Sequence, residues 1–104
     1  MQPLEAQYNR TYNEISEIAL AARESGRQIR LVFDAGFQLP EHVEEVVRDG
    51  HCAVSDADRG KITSGRAGVL AIPMEITFAP KTPGFHPSIF ARNVVGRVRH
   101  YALV

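Results

Sequence analysis

"RQIRLVFDAGFQLPEHVEEVVRDGHCAVS", residues 27–55, changes its hydrophobic period from two to about 3.6 and back again. Ile29, Leu31 and Phe33 alternate with Arg30, Val32 and Asp34, the pattern of a strand with one buried face. Leu39, Val43, Val46 and Val47 then share one side of a helix. Pro40 suits its first turn, Glu41, Glu44 and Glu45 favour its positive end, and Gly50 is placed to close it. "HCAVS" returns to an extended pattern. Strand, helix and strand over residues 28–55 predict one βαβ unit, whose connection is right-handed if the two strands are parallel in one sheet.

On the amino-terminal side, Leu4, Tyr8, Tyr12, Ile15, Ile18, Ala19 and Ala22 fall on one face of a helix over residues 4–25, ended by Gly26. Arg10, Asn13, Glu14, Glu17 and Glu24 line its other side, with Leu20 among them. On the carboxyl side, "DADRGK" has turn chemistry and "KITS" reads as a short strand. "VLAIPMEITFA", residues 69–79, sets Leu70, Ile72, Met74, Ile76 and Phe78 on one side of a strand. Pro73 has no amide hydrogen to give, which predicts a sheet edge or a bulge there. The loop "PKTPGFHP" follows, then Ser88 as a cap for one turn over "IFAR", then a strand over residues 94–104. The sum is an α+β fold in a single domain, residues 1–104. A long N-terminal helix and a second short helix pack on a mixed or mainly antiparallel sheet of about four or five strands.

At 104 residues the chain can bury one core, and 44% hydrophobic with 23% charged residues is the balance of a globular protein rather than a disordered one. Cys52 is the only cysteine, so no internal disulfide forms. No apolar run reaches a membrane span, and "MQPLEAQYNR" lacks the basic start and apolar middle of a secretory signal, which points to a cytoplasmic address and no membrane partner. Net charge is zero, yet residues 1–58 carry eleven acids against five arginines, while residues 59–104 carry seven cations against Glu75 alone. Unless folding interleaves the halves, such a split makes a dipole that steers an anionic partner to one end.

In the terminal stretch "VVGRVRHYALV", Val95, Arg97, Arg99, Tyr101 and Leu103 alternate with Val94, Gly96, Val98, His100, Ala102 and Val104. The second set makes the better core face. That leaves Arg97, Arg99 and Tyr101 on the wetter side, with Arg92 upstream, able to contact phosphates and stack on bases or simply to keep the strand from aggregating. "SGRAG" sets Arg66 between two glycines, but no lysine and no following helix complete a phosphate loop, so a hairpin connection is favoured. Cys52 and His51 alternate to opposite sides of a strand, which makes Cys52 a core thiol rather than a nucleophile. His42, His51, His86 and His100 lack zinc spacing and "DADRG" lacks the closing glutamate of a calcium loop, so no metal or other cofactor is expected. Asp34 ends the first strand, where functional residues gather but where an Asp is also an ordinary turn former. "TPGFHPSIF" either presents Phe85 and His86 between prolines as a docking tip or tucks Phe85 under the sheet.

No base, nucleophile and orienting group assemble from these residues. The leading expectation is therefore a small non-catalytic protein that binds another protein, as an adaptor or inhibitor does. Its contact residues are Lys61, Arg66, Phe85, His86, Arg92, Arg97, Arg99 and Tyr101, and an edge strand offers a route to a homodimer. The alternative is nucleic-acid binding through the basic half, using Lys61, Arg66, Arg92, Arg97, Arg99 and Tyr101. A third is a small enzyme or ligand-binding domain built on Asp34, His51 or His86.

Overall fold

A computed structural model describes residues 3–34, 39–64 and 73–104. The elements follow in the order α1 (Pro3–Ser25), β1 (Ile29–Phe33), α2 (Leu39–Gly50), β2 (Cys52–Val54), α3 (Asp56–Ser64), β3 (Met74–Pro80), α4 (Pro87–Val94) and β4 (Val98–Leu103). The strands form one sheet in the order β2-β3-β1-β4, and every neighbouring pair is antiparallel. The expected βαβ unit is present in split form: β1 and β2 point the same way, with β3 inserted between them. A second unit, β3-α4-β4, interleaves with the first, which gives the ferredoxin-like connectivity with α1 and α3 added.

Registry puts the apolar set of each strand on one side. Ile29 lies opposite Phe78, Leu31 opposite Ile76, and Phe78 in turn opposite Val54. Against this face pack Ile15, Ala19 and Ala22 of α1, Val43 and Val46 of α2, and Phe90, Ala91 and Val94 of α4, all fully buried. A file of edge-on aromatic rings crosses the core: His42 to Phe33 at 5.8 Å, Phe33 to Phe78 at 6.2 Å, Phe78 to Phe90 at 5.5 Å. Phe85 extends it at 5.5 Å from Phe90 and is only 2% exposed. Of the two expected positions for Phe85, the tucked one is realised, and the docking tip loses its aromatic ring. Aromatic pairs at these separations add roughly 1 kcal/mol each beyond the area they bury.

Several local expectations are corrected. "DADRGKITS" is not a turn and strand but the helix α3, because Ser55 accepts the Asp58 amide at its hydroxyl (3.1 Å) and Asp56 and Asp58 sit at the positive end. β3 is an inner strand rather than an edge, with Pro73 just before its first residue and Pro80 as its last. Residues 69–72 lie outside the described residues. α4 runs for two turns, not one. His86 stands at its N-cap, without a side-chain cap bond, and Pro87 occupies the first turn, leaving Ser88 inside the helix. At the end of α2 it is His51, not Gly50, that takes the left-handed position, at φ 52°.

The last expected strand is shorter and turned over. Residues 94–97 finish α4 and turn, and pairing starts at Val98. Phe33 pairs with Val98 but Val32 with His100, so Arg99 is the extra residue of a β-bulge. One added residue moves everything after it to the opposite face. Val98, Tyr101 and Leu103 therefore pack on the core, and His100 and Ala102 stand beside Val32 and Arg30 on the other side.

Two glycines make opposite predictions. Gly84 lies at φ 116°, and a Cβ there would meet the His51 Nδ1 at 3.2 Å, whereas Gly60 lies within α3 with nothing near a Cβ. Gly84→Ala is expected to lower stability by about 1–3 kcal/mol and Gly60→Ala to raise it by about 0.5–1 kcal/mol, read from urea midpoints at constant m.

Candidate functional site

The sequence-derived contact residues are spread over several elements, with Arg97 and Arg99 brought together at Asp34. Lys61, on α3, lies three strand spacings from β4, about 14 Å across the sheet. Its ammonium donates to the Glu75 carbonyl and pairs with Asp58, both at 2.9 Å. Arg99 pairs with Asp34 at 3.1 Å, and the Tyr101 hydroxyl donates to the Glu14 carboxylate on α1. Arg92 is exposed on α4, Arg97 lies in the turn before β4 and His86 is exposed at the start of α4. Arg66 lies outside the described residues. His51 packs its ring on Gly84, apart from Asp34, which stands at the other end of β1. Acids from the front half of the sequence thus meet cations from the back half: Asp34 with Arg99, Asp58 with Lys61, Glu44 with Arg59.

Asp58 and Lys61 complete an edge. β2 covers only Phe78, Ala79 and Pro80 of β3. Beyond it, the Asp58 carboxylate accepts the Thr77 amide at 3.0 Å and Lys61 takes the Glu75 carbonyl. Side chains of α3 thereby satisfy backbone groups that a longer β2 would have paired. Burial alone would raise the Asp58 carboxyl. The Thr77 amide, the Lys61 ammonium and the Ser55 hydroxyl outweigh it and hold the group below its ordinary value.

The surface that remains is the second face of the sheet. α1, α2 and α4 all lie on the core side, and the opposite positions are Ala53 on β2, Glu75, Thr77 and Ala79 on β3, Arg30 and Val32 on β1, and His100 and Ala102 on β4. Most of these side chains are short, so the face is low and flat. Towards β2 it dips into a hollow of about 440 Å³ lined by Gln28, Ala53, Val54, Ser55, Asp58, Thr77 and Ala79. Arg30 and Glu75 stand beside it, 3.4 Å apart. No protein-family model, curated protein or solved structure matches the chain. Sequence reasoning missed this face because alternation identified Thr77 and Glu75 only as positions outside the core. Among the described residues, what leaves them uncovered is the placement of α1, α2 and α4 on one side.

Two further buried groups, Cys52 and His42, have pKa values shifted by the fold. The Cys52 thiol, fully buried and 3.6 Å from the Val46 carbonyl, is pushed by burial up to about 12, against a smaller opposing effect of Lys81. His42 is 7% exposed, and neither ring nitrogen has a hydrogen-bond partner among the described residues. The Glu45 carboxylate stands 3.9 Å from Nδ1. Burial, then the charge of Arg97, lowers the His42 pKa from 6.5, with Glu45 and the Asn93 backbone opposing. Between its folded value and 6.5 the unfolded chain binds a proton that the folded chain refuses. Stability associated with the neutral ring is complete above pH 6.5 and is lost as pH falls through the folded value. Urea midpoints measured from pH 7.5 downward are expected to fall from about pH 6.5 in the native chain and to stay flatter in His42→Leu, until carboxylates such as Asp58 titrate at lower pH.

Proposed function

We propose that the chain is a non-catalytic protein-binding domain, an adaptor or inhibitor, that receives its partner on the uncovered face of the sheet. The hollow beside Ala53, Thr77 and Ala79 carries this reading. A flat surface of small side chains with one concavity suits a partner that inserts a single anchor residue, and Gln28, Ser55 and Thr77 offer polar contacts at its rim. The interleaving of charge supports a protein partner over the nucleic-acid alternative. Arg99 and Lys61, two of the cations that would meet phosphates, are engaged with Asp34 and Asp58.

Ala79→Arg fills the hollow from near the end of β3 while leaving the core side of the strand untouched. Run side by side in affinity capture, the native chain is expected to retain a protein that Ala79→Arg loses or binds at least about tenfold more weakly, with unchanged circular dichroism and melting temperature. Equal retention by both removes the hollow from the account. Affinity for a mixed-sequence single-stranded oligonucleotide, with log K falling against log salt at a slope near about −3, would favour the nucleic-acid alternative instead.

A further inference from the structure

The two edges of the sheet are treated differently. On the β2 side, a three-residue strand and the side chains of Asp58 and Lys61 leave little of β3 to pair. On the other side β4 is the terminal strand. Gln28 and Val104 exchange both backbone bonds (3.2 and 2.9 Å), so alternation directs the amide and carbonyl of His100 and Ala102 inward to Val32 and Arg30. Those of Tyr101 and Leu103 consequently point away from the sheet. From His100 to Leu103 this edge carries no lysine, proline, acid or bulge, the devices that usually blunt one. Arg99, which could have done so, lies at the bulge and is drawn onto Asp34.

We infer that this edge pairs with the same edge of a second copy, β4 antiparallel to β4 about a two-fold axis at Tyr101, joining two sheets into one of eight strands. A second copy fits better than an unrelated strand because of the helix that flanks the edge. α1 packs on the core face of the sheet and is held to β4 by the bond from Tyr101 to Glu14. A two-fold axis at Tyr101 therefore sets the two α1 helices antiparallel, side by side, near Glu14. The flank of α1 that includes Glu14 also carries Arg10 and Glu17, four residues before and three after it, at helical spacing. Both are exposed, and neither takes part in an ion pair among the described residues. Antiparallel pairing brings Arg10 of each copy towards Glu17 of the other, twice. A net charge of zero adds no general repulsion between copies. The pairing leaves the face with the hollow open on both copies, so it is independent of the function proposed above.

The pairing places His100 of one copy directly opposite Ala102 of the other as a non-hydrogen-bonded pair, with α-carbons about 4.5 Å apart, within disulfide reach. Both side chains stand on the uncovered face, so cysteines there leave the core intact. Sedimentation of the native chain up to about 100 µM is expected to show dimer growing with concentration. Mixing His100→Cys with Ala102→Cys under mild oxidation is expected to give the mixed disulfide well above either self-linked product. Arg10→Glu is expected to weaken the dimer about tenfold, and adding Glu17→Arg to restore it. A native chain that stays monomeric over that range, or a dimer that neither forms the mixed disulfide nor responds to Arg10→Glu, overturns the inference.

Discussion

A file of rings binds the helical layer to the sheet, and the remaining architecture follows from its lying on one side. Phe33 and Phe78 come from adjacent inner strands, Phe90 from α4, and His42 from α2, so four elements meet in edge-on contacts at 5.5 to 6.2 Å. Apart from Val32, the large apolar side chains of β1, β2 and β3 turn toward that file. Once the apolar volume is spent there, the positions between, Ala53, Thr77, Ala79, Arg30 and Glu75, meet none of α1, α2 and α4 and stay small or charged. The uncovered face is thus a consequence of how the core is filled.

Charge is arranged by the same topology. In sequence the acids lead and the cations follow. Splitting each β-α-β unit to admit a strand of the other brings late strands beside early ones, so Arg99 reaches Asp34, whereas Lys61 and Asp58 are neighbours three residues apart on α3. Exposed pairs of this kind contribute little stability. Their effect here is to break a continuous basic surface into locally neutral patches. Asp58 is the exception, since it is mostly buried and also closes a backbone gap on β3.

The order of helix and strand through residues 3–54 was legible in the sequence because period and caps agreed there: Ile29, Leu31 and Phe33 for the strand, Val43 and Val46 for the helix face, Cys52 and Val54 for the return. Legibility failed where one local signal supports two structures. Asp56 and Asp58 serve a turn or the first turn of a helix, and the Ser55 hydroxyl on the Asp58 amide selects the helix. In the terminal strand alternation favoured the set with His100, Ala102 and Val104 as the core face, and beyond Val98 that choice is reversed. The insertion of Arg99 into the ladder decided it, and no residue type marks a bulge of that kind. The candidate surface was missed for a related reason: small side chains such as Ala53 and Ala79 announce nothing until α1, α2 and α4 are known to lie on the other side.

The burial of Cys52 has a practical side. With its thiol pushed up to about 12 by burial, and no part of it exposed, Cys52 offers little reactive thiolate at neutral pH. The native fold therefore keeps its single thiol chemically silent. A maleimide or disulfide reagent that labels Cys52 does so through molecules in which α2 and β2 have parted, and the labelling rate becomes a clock for the opening of the core, written into the chain without any added probe.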